Sequence, residues 1–198
     1  MKFRKATIND LDAIEGIYDR IHDCEEAGIT TIGWIRSIYP KRETAEAALE
    51  RGDLYVCELT AADANETTGS ADAAGQSDAE VRIAATAIIN KIQVDVYADV
   101  SWAHSVPDEQ VAVLHTLVVD PELRFSGIGG AFVGFYEEEA QRMGCTELRM
   151  DTNERNAIAR KFYAGLGYKE VGIVPTVFNG IPGVNLVMLE KPISNPPR

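Results

Sequence analysis

One segment restricts the fold of this chain more than any other, the run VVDPELRFSGIGGAF from Val118 to Phe132. The β-branched apolar run Val111–Val119 leads into it and is typical of a central strand. The amphipathic run Gly130–Met143 follows it and predicts a helix that ends at Gly144. The turn between them contains Gly127, Gly129 and Gly130. The segment therefore predicts a strand, a glycine turn and a helix in direct succession.

Such a turn can bind an anion, because the first helical turn has free N–H groups and the positive end of the helix dipole. A nucleotide-binding P-loop is not indicated, because no Lys-Ser/Thr pair follows the glycines. The dinucleotide-binding pattern GxGxxG also fails, since position 132 is Phe. A ligand-free connection would explain one glycine more easily than it explains three glycines with Arg124.

Two motifs carry a resemblance to a known family. The run Arg124-Phe-Ser-Gly-Ile-Gly129 resembles the [RQ]xxGx[GA] pyrophosphate loop of the Gcn5-related N-acetyltransferase (GNAT) family, and Val119-Asp-Pro121 resembles the Val-x-Pro before it. The stretch from Asn156 through Tyr163 to Gly167-Tyr168 resembles that family's Asn…Tyr…Gly-Phe/Tyr motif. The resemblance covers Val111 to about Val171.

The resemblance implies an α/β fold. It consists of a central mixed, mostly antiparallel twisted sheet of about seven strands, flanked by about four helices, whose two middle parallel strands separate. It also implies acetyl-CoA as co-substrate, with its pantetheine arm in the gap and its pyrophosphate on the turn amides. At Phe125-Ser126 the chain departs from the family, whose members often have a lysine there. The residues implied to bind the coenzyme are Leu117, Val118, Val119, Arg124, Phe125, Ser126, Gly127, Ile128, Gly129, Gly130 and Asn156.

Hydrophobic periodicity predicts the remaining elements of what we interpret as a single domain spanning residues 1–198. Residues 60–80 are acidic and poor in large apolar side chains, which predicts a flexible insertion. The predicted helices cover Leu11 to about His22, Trp34–Ile38 with Glu43–Arg51, and Asn156–Leu166. The predicted strands are Phe3–Ala6, Leu54–Leu59, Val81–Val94, Glu147–Thr152, Tyr168–Val174 and Val184–Leu189.

Acyl transfer to an amine needs a group that removes the amine proton and an acid for the leaving thiolate. By resemblance Tyr163 is the acid; packing beside Phe162 is the alternative. His115 is the predicted base, because its pKa range suits proton removal and strand alternation puts it on the face of Leu117 and Val119. A histidine with only a structural role is an equal alternative. Glu109 and His104 are weaker candidates for the base, and Cys145 is interpreted as a core thiol.

Composition limits the partners. A net charge of −12 disfavours nucleic acid, whose binding needs a basic surface; it would favour a cationic acceptor or simply maintain solubility. Three scattered cysteines without a CxxC pattern give no metal site and indicate a reducing compartment. Without a signal-like or membrane-length apolar run, we expect a cytoplasmic protein that does not bind membranes.

The sequence does not identify the acceptor amine. The leading hypothesis is an acetyltransferase for a small-molecule or peptide amine. A protein N-terminal or lysine acetyltransferase and a non-catalytic acyl-CoA sensor are the alternatives. The acceptor pocket is expected near Trp34 and Tyr39, or between the 95–110 loop and Val174–Gly183. Similar folds often dimerise through edge strands, so a homodimer is one of the expected oligomeric states.

Overall fold

The computed structural model describes residues 1–60, 81–123 and 126–193, so nearly all of the predicted insertion and also Arg124 and Phe125 lie outside the described residues. Within these ranges the strands are β1 (Lys2–Lys5), β2 (Leu54–Leu59), β3 (Arg82–Asn90), β4 (Val111–Val119), β5 (Glu147–Asn153), β6 (Lys169–Phe178) and β7 (Ile181–Pro192). The α-helices are α1 (Leu11–Glu26), α2 (Arg42–Arg51), α3 (Ile128–Arg142) and α4 (Ala157–Gly165).

The seven strands form one sheet in the order β1-β2-β3-β4-β5-β7-β6. Only β4 and β5 run parallel, and every other neighbouring pair is antiparallel. The connection between β4 and β5 contains α3, as a parallel crossover requires. The mixed, mostly antiparallel sheet with helices around it confirms the predicted fold class.

Apolar clusters cover both faces of the sheet. On one face, α3 and α4 contribute Phe132, Tyr136 and Tyr163 to a cluster that includes Leu114 of β4. On the other face, α1 and α2 pack over Ile88 of β3 and its neighbours. Farther along that second face a third cluster, which includes Tyr97, lies beneath the irregular segment between β3 and β4. The nearly continuous apolar runs of the central strands, such as β4, reflect this two-sided burial.

The predicted helical stretch at Trp34–Ile38 is wrong. Ile35 and Tyr39 form an isolated antiparallel bridge, and α2 begins only at Arg42. Pro40 explains the difference, because a proline disfavours the helical conformation in the residue before it.

The last two strands are longer than predicted. They form a hairpin through Asn179 and Gly180, whose φ angles of 48° and 87° match a two-residue type I′ turn. The Asn-Gly pair is the sequence signal for this turn.

In the part of the chain that the structure describes, no helix is both long and apolar enough to cross a membrane.

Candidate active site

The strands β4 and β5 separate halfway along their length. Their pairing runs from Val111 opposite Glu147 to Leu114 opposite Met150, and no later residue of either strand, both fully described, takes part. Beyond that point β4 pairs only with β3, and β5 pairs only with β7. A gap therefore opens in the middle of the sheet, as the family resemblance implies.

The edge of β4 that faces this gap has unpaired backbone groups. The N–H of Asp120 donates to the carbonyl of Ala84 at 2.8 Å, so Asp120 and Val118 direct their backbone groups toward β3. Because successive residues of a strand alternate, the N–H and C=O groups of Leu117 and Val119 point into the gap. An extended ligand could pair with them as an additional strand.

A β-bulge interrupts β4 at Thr116, whose φ angle is 51°. The register with β3 shifts there, so Thr116 and Leu117 together oppose one residue. An extra residue reverses the alternation of side chains. The prediction that His115 shares a face with Leu117 and Val119 is therefore wrong. Leu117 and Val119 pack toward α3 and α4, whereas His115 pairs with Ile88 on the opposite face.

The glycine turn precedes the N-terminus of α3. Gly127 has a φ angle of 80°, which requires glycine, and a Cβ at Gly127 or Gly130 would meet no atom of the described residues within 4 Å. A Cβ on Gly129 would lie 3.4 Å from the Phe162 ring, so that glycine permits α3 and α4 to pack closely. The side chain of Ile128 is fully buried, which leaves only its backbone for a ligand. Ser126 donates its hydroxyl to the carbonyl of Leu123 at 2.6 Å.

Asp120 anchors the start of this turn, a role that the sequence did not reveal. Its buried carboxylate accepts hydrogen bonds from Arg20 at 2.9 and 2.8 Å and from Arg82 at 2.6 Å. Its pKa is lowered because these arginines outweigh the effect of burial, which alone would raise it. The aspartate of the Val-x-Pro motif is therefore an ionised link between α1, β3 and the turn.

A cleft of about 750 Å³ opens at the gap. Trp34, Tyr39 and Phe178 form an aromatic wall, with ring centroids 5.9 Å apart for the first two and 5.4 Å apart for the last two. The hydroxyl of Tyr39 is hydrogen-bonded to that of Thr116 in the bulge. Both segments predicted for the acceptor pocket thus meet here, although no residue from 95–110 is among those that line the cleft.

Asp151 lies at the first position of β5 beyond the paired part and lines the cleft. The Tyr97 hydroxyl donates to its Oδ2 at 2.9 Å. Burial raises the pKa of the Asp151 carboxyl to about 6, and this hydrogen bond opposes the rise. Sequence reasoning missed this residue, because a single aspartate near the end of a strand resembles a solvent-exposed residue.

Tyr163 reaches the same cleft from the opposite face of the sheet, through α4. Its ring lies 5.1 Å from Phe162 and 6.0 Å from Tyr168, measured between centroids. Burial, followed by the charge of Asp151, raises the pKa of the Tyr163 hydroxyl above its usual range, so the hydroxyl keeps its proton at neutral pH. Asn156 caps α4 by accepting from Ala159 N at 3.1 Å, and it also lines the cleft.

The base candidates named from the sequence lie in different places. His115 lines the cleft and its Nε2 is 3.1 Å from Asn90 Oδ1. Burial lowers the pKa of His115 to about 4, so its ring is neutral at pH 7. Glu109 and His104 do not line the cleft. Cys145 is buried in the core beneath α3, and burial raises the pKa of its thiol.

The comparisons with known proteins agree with this geometry. The model of the family described as "Acetyltransferase (GNAT) family" matches residues 58–168, more than half of the chain. An uncharacterised N-acetyltransferase of Methanocaldococcus jannaschii is 32% identical over 79 residues, which are 40% of this chain and 35% of that protein. This match therefore spans about a third of that relative's length.

Two solved structures have the same fold. An acetyltransferase of the GNAT family from Streptococcus agalactiae superposes with a TM-score of 0.72 at 20% identity, covering 98% of this chain and 96% of that one. An acetyltransferase from Salmonella typhimurium, solved with its cofactor acetyl-CoA, gives 0.61 at 14% identity, covering 98% and 94%. At these identities the likeness concerns the fold alone.

Proposed function

The chain belongs to the GNAT family of acetyltransferases, and from that premise we propose that it transfers an acetyl group from acetyl-CoA to a primary amine of a small molecule or peptide. The amine attacks directly while both substrates are bound. The observation that carries this proposal is the meeting, in one cleft, of the free edge of β4 with Asp151 and Tyr163 from opposite faces of the sheet.

The residues of the gap fit a coenzyme with an extended arm and a pyrophosphate. Leu117 and Val119 offer backbone donors and acceptors to the arm, and the first amides of α3 after Gly127 suit an anion. The open space at Gly127 and Gly130 leaves room for the pyrophosphate. The nearby carboxylate of Asp120 repels it little, because Arg20 and Arg82 neutralise that charge. When bound, acetyl-CoA supplies an acetyl group activated as a thioester.

We assign the removal of the amine proton to Asp151, in preference to the predicted His115. At pH 7 an alkyl amine is almost wholly protonated, so a carboxylate both attracts the ammonium group and accepts its proton at Oδ. Raising the pKa of this carboxyl from 3.8 to about 6 lowers the cost of that transfer by about 3 kcal/mol. The pKa of His115 near 4 makes it the weaker proton acceptor.

We assign two further roles to residues on the other side of the gap. The Tyr163 hydroxyl, which keeps its proton at neutral pH, donates that proton to the sulfur as the carbon–sulfur bond breaks and regains a proton from solvent in the open cleft. The N–H of Val119 points into the gap and donates to the carbonyl oxygen as its negative charge increases. Asn156, at the start of α4, orients the arm of the coenzyme while it caps the helix.

A peptide or protein acceptor is the second candidate, and a specific feature favours it. A smaller cleft of about 400 Å³ adjoins the main one and shares Gly33, Trp34, Asn153 and Val184 with it. Glu25, Glu154 and Arg155 also line this second cleft, so two carboxylates face one guanidinium. A chain whose amine enters the main cleft could extend into this groove, whose net negative charge would favour basic side chains.

A thiol-release assay tests the function. Acetyl-CoA is offered with small amines, amino acids and short peptides to the wild type, Tyr163→Phe and Asp151→Asn, and coenzyme binding is measured separately by calorimetry. We expect turnover with one acceptor class, reduced in both variants, while the affinity for acetyl-CoA changes less than about threefold. Tyr168→Phe, a neighbouring tyrosine that does not line the cleft, is the matched control.

The other outcomes separate the alternatives. Coenzyme binding without thiol release for any acceptor would favour the acyl-CoA sensor. Turnover with peptides alone would favour the second candidate. Absence of coenzyme binding would contradict the interpretation of the gap and the glycine turn.

A further inference from the structure

A second cluster of ionisable side chains lies away from the cleft, at the other end of β5. Glu147 is the first residue of that strand, and Glu190 belongs to the neighbouring β7. Arg149 pairs with Glu190 in the register, which puts Glu147 and Glu190 diagonally across the two strands on one face. The carboxylate groups are buried, each with 1% of its side chain exposed.

His104 completes the cluster from the segment between β3 and β4. Its Nδ1 lies 3.5 Å from Glu147 Oε1 and 3.8 Å from Glu190 Oε1. One ligand atom from each residue can be chosen so that all three lie within 4.8 Å of one another. The imidazole is 42% exposed, which gives an ion a path from solvent.

The described residues leave this cluster without sufficient partners. His104 Nδ1, Glu147 Oε1 and Glu190 Oε2 are buried and lack a hydrogen-bond partner among them, and so does the neighbouring Arg149 Nε, which donates to neither carboxylate. Glu190 Oε1 accepts only from Ala103 N, at 3.0 Å. Buried polar atoms are almost always satisfied in native structures, so orphaned atoms that converge on one point indicate a missing ligand.

Arg149 does not fill the gap. Its Nη1 donates to Gln93 Oε1 at 2.5 Å, its Nη2 donates to the His104 carbonyl at 3.2 Å, and its guanidinium stacks 4.0 Å from the Trp102 ring centroid. Among the described residues, no hydrogen bond or ion pair joins it to Glu147 or Glu190. When both buried carboxyls are ionised, one guanidinium nearby leaves a single uncompensated negative charge, which is unfavourable.

The spacing distinguishes two explanations. A charge-assisted hydrogen bond between imidazole and carboxylate would be about 2.7–2.9 Å long, shorter than the 3.5 and 3.8 Å observed. Ligands about 2.1 Å from a tetrahedral metal ion are roughly 3.4 Å from each other. The imidazole is thus spaced from both carboxylates as for a shared ion rather than for direct contact, and the three ligand atoms stay within 4.8 Å of one another.

We propose that His104, Glu147 and Glu190 bind a divalent first-row transition metal ion, Zn²⁺ being the fitting probe, with water in the remaining position. One imidazole nitrogen with two carboxylate oxygens suits such an ion better than Mg²⁺ or Ca²⁺, which prefer oxygen alone. The ion is structural. Glu147 lies four residues, roughly 13 Å, from Asp151 along β5, and the ion ties the segment that carries Tyr97 to the sheet.

The test uses the full chain, stripped with a chelator and dialysed, then titrated by calorimetry with Zn²⁺, Mn²⁺ and Mg²⁺ in separate runs. We expect one Zn²⁺ per chain, weaker binding of Mn²⁺, no binding of Mg²⁺, and a higher thermal midpoint with Zn²⁺. His104→Ala and Glu190→Gln should each weaken Zn²⁺ binding by more than about 100-fold, since even outer-shell substitutions cost 10–100-fold.

Glu170→Gln on β6, whose carboxylate pairs with Arg160 on the surface, is the matched control and should bind Zn²⁺ like the wild type. Because His104 is partly exposed, its replacement tests the site even if Glu190→Gln fails to fold. Absence of stoichiometric Zn²⁺ binding, or binding unchanged in His104→Ala, would overturn the proposal.

Discussion

The two ends of β5 carry acids on the same face of the sheet in opposite surroundings, with Glu147 fully buried and Asp151 half-buried. At the paired end, β4 continues alongside Glu147, and the segment around His104 covers it. At the separated end, β4 has moved away, and Asp151 faces the cleft with one hydrogen bond from Tyr97. Burial raises the pKa of both carboxyls.

The difference lies in where backbone pairing stops. While β4 and β5 are paired, the groups above them are confined between the sheet and its covering segment, so a buried acid there can act only on other protein groups or on an ion. Where pairing ends, groups from both faces of the sheet line one cleft. A carboxylate with a raised pKa can there accept a proton from a substrate. The predictions below test this contrast.

The largest effect is expected for Asp151→Asn. The amide keeps the hydrogen bond from Tyr97 but cannot accept the amine proton, so kcat/KM should fall 10²–10⁴-fold, the usual contribution of a general base. Steady-state kinetics with saturating acetyl-CoA measure this fall, with Glu170→Gln as control. The contrast between the ends of β5 would be reversed if Glu147→Gln lost this activity and Asp151→Asn kept it.

The pH profile sharpens the same contrast. Since Asp151 must be ionised to accept a proton and its pKa is about 6, wild-type kcat/KM should rise with pH up to about 6 and then level off. The profile of Asp151→Asn should lack that rise. A midpoint near 4 that disappears instead in His115→Gln would favour the histidine, whose pKa burial lowers to about 4.

At the paired end we expect a loss of stability and not of chemistry. Arg149→Ala removes the cation nearest to two buried carboxylates together with its stacking on Trp102. Removing the charge that compensates a buried carboxylate costs about 3–5 kcal/mol, and because Arg149 makes no direct ion pair with Glu147 or Glu190 we expect the lower end of that range in urea unfolding at pH 7. Arg160→Ala, which breaks a half-exposed pair with Glu170, should lower the free energy of unfolding much less, because solvent screens an exposed pair. Equal losses in the two variants would contradict the distinction.

Tyr163→Phe tests the face of the gap opposite Asp151. The ring keeps its packing against Phe162, so only the proton donor is lost. Because a thiol is a good leaving group, kcat should fall only about 10²-fold, at the lower end of acid catalysis. The KM for acetyl-CoA should stay within about threefold of the wild-type value. A tenfold rise in that KM with unchanged kcat would show that Tyr163 only helps to bind the coenzyme.

Much of the fold was predictable from the sequence, because periodicity is visible locally. The strand at Val111–Val119, the glycine turn and α3 follow directly from alternation, helical spacing and turn residues. The bulge at Thr116 was not predictable, since nothing in HTLVV marks the residue that adopts a positive φ angle. That single residue reversed the predicted face of His115.

Residues that act through contacts distant in sequence were missed. Asp151 and Tyr97 meet across 54 positions, and Asp120 meets Arg20 across 100. Glu147 stands between Thr146 and Leu148, and Glu190 stands between Leu189 and Lys191, so the local sequence does not mark either charge as buried. No sequence motif with a fixed spacing marks either Asp151 or the cluster of His104, Glu147 and Glu190. Both were therefore missed.

The smallest expected effect concerns the stability of Asp151→Asn. In the folded wild type the carboxyl pKa is about 6 against an ordinary value of 3.8, so its ionised form is disfavoured by folding. Above pH 7 the full penalty applies, and the amide should raise the free energy of unfolding by about 1–3 kcal/mol. As pH falls through 6 the folded carboxyl takes up a proton, and the advantage should vanish near pH 4. Urea unfolding of both proteins at pH 4, 6 and 8 measures the difference. If the two proteins differed in free energy of unfolding by the same amount at all three pH values, folding would not disfavour the ionised form of Asp151. The carboxyl at the separated end of β5 would then have no raised proton affinity to use in the reaction.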